Sequence, residues 1–261
     1  MPVNGDPEAW IRRFHPAPGS RTTVVCLPHA GGSASYFFPL SQALTPEFEV
    51  LAVQYPGRQD RRNEPCFDTI AALADAVFVA LQGRLDRKLA LFGHSMGATI
   101  AFEVARRLEL VGVVPEMLFV SGRRAPSCNS DDGVHLLDDA GIVRELQLLN
   151  GTNGALFDDQ EMLRIILPAI RADYRAIEGY TCAVDTRVAS PISVLVGDAD
   201  PKTTLAAAAA WGEHTSGGLT QRVFPGGHFF LAGCQEDVAG LITATLTLSP
   251  RTGSSADPCG A

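Results

Sequence analysis

Leu89-Ala90-Leu91-Phe92-Gly93-His94-Ser95-Met96-Gly97, followed by Ala98 to Leu110, is the stretch that decides the fold. Leu89–Phe92 reads as a short buried strand and Ala98–Leu110 as a helix. Between them stands Gly-x-Ser-x-Gly, a weak pattern by itself that its flanks make specific. A strand, a tight turn and a helix, in that order, lift a serine hydroxyl above the edge of a sheet. The turn is strained, so the residues beside the serine must be small where strand and helix nearly touch; Gly93 and Gly97 meet that demand. The helix N-terminus stabilises negative charge developing at the hydroxyl. Ser95 is therefore a candidate nucleophile, with an ordinary strand-to-helix turn carrying an incidental serine as the bland alternative.

Outward from this turn, apolar runs alternate with helical stretches. Candidate strands are Thr23–Leu27, Val50–Gln54, Met117–Ser121, Ile192–Val196 and Gln221–Phe224; candidate helices include Ile70–Gly83 and the alanine-rich Leu205–Gly212. The alternation predicts an α/β fold with a mostly parallel central sheet and helices on both faces. Residues 1–248 read as one domain, and the Ser-, Pro- and Gly-rich tail 249–261 as disordered. Residues of about 130–181 break the alternation, because they are too many for a plain connection. Leu136 to Leu149 is amphipathic and Asn150-Gly151 is suited to close it. Asp158-Asp159-Gln160-Glu161 resembles a capping box ahead of the broad apolar run Met162–Ile170. Two readings stay open: a pair of helices docked on the core, or a helical lid whose second apolar face lines a substrate pocket.

Bulk properties narrow the classes. A chain of 261 residues, 46 % hydrophobic and 19 % charged, buries a sizeable core without covalent staples. Its net charge of −8 argues against a nucleic-acid partner. The six cysteines are scattered, with no Cys-x-x-Cys pair, and read as reduced thiols. His, Cys and Asp show no metal-ligand spacing, so neither metal nor cofactor is expected. Met1 to Phe14 lacks the apolar centre of a signal peptide, and no run is apolar enough to span a bilayer. The expectation is a cytoplasmic protein with no membrane association.

A serine hydroxyl needs a base, and the base an orienting acid. His228 lies in Phe224-Pro225-Gly226-Gly227-His228, a glycine-rich loop after a candidate strand and near the chain end. The acid should follow the preceding strand, where Gly197-Asp198-Ala199-Asp200-Pro201 offers two carboxylates. Composition does not separate them. Asp200, farther along and stiffened by Pro201, is preferred, with Asp198 as a loop-forming alternative. An oxyanion hole needs two backbone N–H groups. Met96, after the nucleophile, supplies one candidate. Ala30, in Pro28-His29-Ala30-Gly31-Gly32 after the first of these strands, supplies the other unless that segment is only a glycine-rich turn. His29 and His94 are neighbours with no firm role.

With these residues in place the chain resembles the stand-alone (type II) thioesterases of polyketide and nonribosomal peptide assembly, members of the α/β-hydrolase superfamily. The likeness rests on Trp10-Ile11-Arg12-Arg13-Phe14, Leu27-Pro28-His29-Ala30-Gly31-Gly32-Ser33, Val53-Gln54-Tyr55-Pro56-Gly57-Arg58 and Gly93–Gly97. Leu149-Asn150-Gly151-Thr152, Leu167–Asp173, Asp200-Pro201, Trp211 and Pro225–Leu231 complete it. The resemblance implies an α/β-hydrolase fold with a helical lid insertion, a triad of Ser95, Asp200 and His228, and oxyanion donors at Ala30 and Met96. It implies no cofactor. The implied substrate is an acyl group on the phosphopantetheine arm of an acyl or peptidyl carrier protein, and the implied role is editing, the removal of short or aberrant acyl groups. An ester hydrolase or fatty-acid-releasing thioesterase is the alternative within hydrolases. A catalytically dead carrier-binding module is the alternative outside them. Arg58, Arg61, Arg62, Arg123 and Arg124, after strand ends on the Ser95 side, are candidates for docking an acidic carrier.

Overall fold

The computed structural model describes residues 7–128, 132–150 and 160–248. Its elements run β1 (Ile11–Arg12), β2 (Thr22–Leu27), α1 (Phe38–Leu44), β3 (Glu49–Val53), α2 (Ile70–Leu81), β4 (Lys88–His94) and α3 (Met96–Leu110). They continue with β5 (Met117–Ser121), α4 (Asp139–Asn150), α5 (Gln160–Glu178), β6 (Ile192–Gly197), α6 (Leu205–Ala209), β7 (Leu219–Phe224) and α7 (Gln235–Leu248). The sheet order is β1-β3-β2-β4-β5-β6-β7. Only the β1–β3 pairing in that sheet is antiparallel.

The six strands expected from the sequence are present, within two residues at each end. Strands β2 to β6 are buried almost throughout because helices cover both faces, which is why they read as mostly apolar runs with no polar alternation. The pleat still sorts their side chains. Val25, Leu27, Leu89 and Leu91 join Leu73 and Val77 of α2 and Ile100 and Val104 of α3 in one core layer. Val24, Cys26, Ala90 and Phe92 face the other way, onto Leu40 and Leu44 of α1 and Val238 and Ile242 of α7. The edge strand β7 alternates between partly buried and exposed positions from Leu219 to Arg222, and buries Phe224 at its end. Its exposure matches a sheet edge with one neighbour.

Other boundaries moved for physical reasons. The stretch expected to be helical from Leu136 begins instead at Asp139, because the Asp138 carboxylate accepts the Gly141 N–H at 2.7 Å and Val134–Leu136 forms a separate 3-10 turn. The helix expected over Leu205–Gly212 stops at Ala209 and tightens into a 3-10 turn that buries Trp211 and His214. Gly151, Asp158, Asp159 and the tail 249–261 lie outside the described residues. Helices α4 and α5 share a small core of their own, with Ile142 and Leu146 against Leu167 and Ile170. Among the described residues, no helix is long and apolar enough to cross a membrane.

Chain order reverses across the sheet between β2 and β4: β2 leads outward to β3, and the chain then crosses back to β4. In open parallel sheets the loops at the carboxyl ends of two such strands diverge and leave a crevice. Here those loops carry Ala30 and Ser95.

Candidate active site

Ser95 joins β4 to α3 with φ 54° and ψ −119°, a left-handed conformation rare for a residue with a Cβ. Its neighbours show what holds it there. A Cβ on Gly93 would lie 2.2 Å from the Gly97 carbonyl oxygen, and one on Gly97 would lie 2.0 Å from the Leu27 carbonyl oxygen. Both distances are far inside contact, so strand and helix cross at this spacing only through glycine. The Ser95 N–H donates to the Ser121 carbonyl at 2.8 Å, tying the turn to β5.

The other candidates converge on this hydroxyl. His228 Nε2 lies 3.0 Å from Ser95 Oγ, and His228 Nδ1 lies 3.0 Å from both Asp200 oxygens. The Asp200 side chain is fully buried and also accepts the Lys202 N–H at 2.8 Å. Asp198 is exposed and turned elsewhere: it accepts the Gly226 N–H at 2.9 Å and pins the β7–α7 loop to the β6 loop. The two carboxylates that composition left unseparated thus differ in geometry.

Ala30 and Met96 border one cavity with Ser95 and His228. Met96 opens α3, so its N–H has no acceptor within the helix. In the β2 loop, Gly31 donates to the Asp173 carboxylate at 2.7 Å and Gly32 to the His29 carbonyl at 2.9 Å. The Ala30 N–H has no acceptor among the described residues. The remaining wall comes from Gly122, Arg123 and Arg124 after β5, Leu149 of α4, Tyr174, Ile177 and Glu178 of α5, and Lys202 and Thr203 after β6. Burial, then the Arg124 charge, lowers the Arg123 guanidinium to about 10, so it remains a cation at neutral pH.

Beneath the nucleophile His94 is fully buried, its Nδ1 2.9 Å from Ser121 Oγ. Burial, and then the nearby His228 and His29, hold its pKa well below the ordinary histidine value. His29 is held down to about 3 by burial, His228 and Arg58, and packs edge-on against Tyr36 and Phe229. Both rings are therefore neutral packing partners behind the catalytic geometry rather than bases.

The arginine candidates divide. Arg58 and Arg61 are 7 % and 5 % exposed and unsuited to dock a carrier, which corrects the expectation from sequence. Arg58 is paired with Asp173, and Arg61 lies 4.4 Å over the Trp10 ring while bonding Glu64 and the Gln54 carbonyl. Arg62 is exposed, and Arg123 and Arg124 face the cavity. Sequence reasoning missed the bond from α5 to the β2 loop. Arg58 and Asp173 are both visible in the motifs, yet 115 positions separate them and nothing local pairs them.

A twisted parallel sheet with a serine on a left-handed turn, a histidine within hydrogen-bond reach and a buried carboxylate behind it defines an α/β-hydrolase. The thioesterase-domain family model matches residues 22–246, and the chain belongs to that family. It is 52 % identical to thioesterase PikA5 of Streptomyces venezuelae over 88 % of this chain and 83 % of that protein. Among solved structures it is similar to the type II thioesterase BorB from the borrelidin biosynthetic cluster, with TM-score 0.86, 47 % identity, and coverage of 93 % of this chain and all of that one. It is also similar to YbtT, the type II thioesterase of the yersiniabactin pathway, with TM-score 0.84, 30 % identity, and coverage of 92 % and 99 %.

Proposed function

We propose that this thioesterase removes short acyl groups from the phosphopantetheine arm of acyl or peptidyl carrier proteins, with Ser95 as nucleophile, His228 as general base and Asp200 as its orienting acid. The observation that carries the reading is the unbroken run of 3.0 Å contacts from Asp200 through His228 to Ser95 on a strained turn. His228 Nε2 takes the Ser95 proton as Oγ attacks the thioester carbonyl. Asp200, bonded to Nδ1, holds the ring so that Nε2 faces the serine and stabilises the imidazolium that forms. The Ala30 and Met96 N–H groups receive the charge on the carbonyl oxygen. Collapse expels the pantetheine thiolate, to which His228 returns the proton. Water, deprotonated by the same imidazole, then releases the acyl group and restores Ser95.

The relatives' names support the substrate class: PikA5 is called a thioesterase, and BorB and YbtT are described as type II thioesterases of biosynthetic pathways. Arg123, Arg124, Asp132, Glu178 and Lys202 line the same cavity as Ser95, and so many charged groups disfavour a long apolar chain, which supports the short acyl preference and an editing role. Residues of about 130–181 act as the lid in this reading. Leu149 from α4 and Tyr174 and Ile177 from α5 form the acyl wall. The test is a panel of acetyl, propionyl, butyryl, hexanoyl and octanoyl groups on one carrier protein, beside matched oxygen esters. Turnover should peak at two to four carbons and favour the thioester. A maximum at eight carbons, or faster ester cleavage, would transfer the protein to the fatty-acid-releasing or ester-hydrolase reading.

A further inference from the structure

Helix α5 touches the β2 loop as well as the acyl pocket. A Cβ on Gly31, whose φ is +73°, would lie 2.6 Å from Ile170 Cγ1, so α5 and the loop pack without space for a side chain at Gly31. One turn further along, Asp173 is 1 % exposed. Its Oδ2 accepts the Gly31 N–H at 2.7 Å and pairs with the Arg58 guanidinium. Arg58 in turn donates from Nε to the Gly32 carbonyl at 3.0 Å and from Nη1 to the Pro56 carbonyl at 2.5 Å. The Gly32 N–H closes the loop on the His29 carbonyl. The peptide that follows Ala30 is therefore held through the Gly31 N–H by a carboxylate from α5, and the Gly32 carbonyl by a guanidinium from the loop after β3.

A carboxylate and a guanidinium buried together are expensive to desolvate, and apolar replacements are often as stable. Stability alone does not account for this pair. Its donors and acceptors fall on the two residues that follow the candidate oxyanion donor. Asp173 also occupies the Gly31 N–H, which would otherwise compete as the donor from this loop. We propose that Asp173 is a positioning residue: through Gly31 and Arg58 it fixes the β2 loop so that the Ala30 N–H serves as the oxyanion donor. This rests on the Ser95 reading above and deepens it. Because α5 also carries Tyr174 and Ile177, the element that measures the acyl group is the one that aligns the hole.

The test compares the wild-type protein with Asp173→Asn, which keeps an acceptor for Gly31 but removes the charge facing Arg58, and with Arg58→Lys, which keeps charge but loses the Nε bond to Gly32. Two readouts are taken on protein shown to be folded. The first is steady-state hydrolysis of a short acyl-pantetheine thioester. The second is the ionisation of the hemiketal that an alkyl trifluoromethyl ketone forms on Ser95, followed by fluorine NMR. Displacing a reacting group by about 1 Å is worth on the order of 100-fold, so kcat should fall ~10- to 100-fold with KM changed less than about threefold. The hemiketal pKa should rise by about one unit or more, as its oxyanion loses a donor. If one variant does not fold, the other carries the same two readouts. A folded variant with lowered melting temperature but wild-type kcat and hemiketal pKa would make the pair structural only and overturn the proposal. No adduct on Ser95 in the wild-type protein would overturn the parent reading with it.

Discussion

Replacing Ser95 by glycine should give a more stable protein than replacing it by alanine, the reverse of the usual order. Both changes remove the hydroxyl and its contact with His228 Nε2, so both lose the same hydrogen bond. They differ in the Cβ. At φ 54° and ψ −119° a Cβ is strained, and such a residue stores about 1–3 kcal/mol that the surrounding structure holds in place. Here the holding groups are the close crossing at Gly93 and Gly97 and the Ser95 N–H bond to Ser121. Glycine releases the strain but makes the unfolded chain more disordered, an offset of about 0.4–1 kcal/mol. The net expectation is that Ser95→Gly exceeds Ser95→Ala by about 0.5–2 kcal/mol. At the roughly 2–4 °C per kcal/mol typical of larger domains, that is about 1–8 °C in melting temperature. Urea unfolding of the two inactive variants, with equal m-values, measures it directly. An alanine variant as stable as the glycine variant, or more so, would refute the claim that this turn is strained.

Three further outcomes follow from the same geometry. Asp200→Asn should lower kcat by ~10⁴-fold, the loss typical when a catalytic histidine keeps its place but not its tautomer, whereas Asp198→Asn should stay within about tenfold, because an amide oxygen still accepts the Gly226 N–H; stopped assays on one acyl-carrier substrate compare them. Leu149→Trp fills the acyl wall and should shift the preferred chain shorter by one or two carbons, each methylene being worth about 1–3 kcal/mol, while labelling of Ser95 by a small phosphonate stays unchanged; equal losses for short and long chains would leave α4 a structural insertion. Fully buried His94 is held neutral, with a folded pKa below its unfolded one, so its contribution is complete above the ordinary histidine pKa of about 6.5 and is lost as pH falls below it. The loss of stability between pH 7 and 5.5, followed by urea unfolding, should therefore be smaller in His94→Asn than in the wild-type protein; identical slopes would show that His94 is not held neutral.

The sequence exposes most of the sheet because strands buried on both faces must be mostly apolar, and β2 to β6 are. It exposes Ser95 and His228 because each stands in a glycine-rich turn whose purpose is local. Asp200 is harder: two carboxylates two residues apart in one loop are alike until the loop's direction is known, and only the folded loop, which buries Asp200 against His228 and turns Asp198 to the Gly226 N–H, tells them apart. Two-residue β1 and short α1 carry too few positions for a period to register. Arg58 and Arg61 misled for a related reason. An arginine after a strand end reads as solvated, but each of these finds its partner through the tertiary fold: Asp173, 115 positions away, for Arg58, and the Trp10 ring for Arg61. The role of α5 in holding the β2 loop was hidden by the same separation.

The central claim is that a thioester acyl group passes through a covalent bond to Ser95. Rapid-quench mass spectrometry of the intact protein, after mixing with propionyl carrier protein, tests it most directly. The account predicts a transient increase equal to one propionyl group, located on the peptide containing Ser95, forming and decaying at rates that match turnover and absent in Ser95→Ala. Turnover with no acylated protein at any time, together with hydrolysis retained in folded Ser95→Ala, would contradict it.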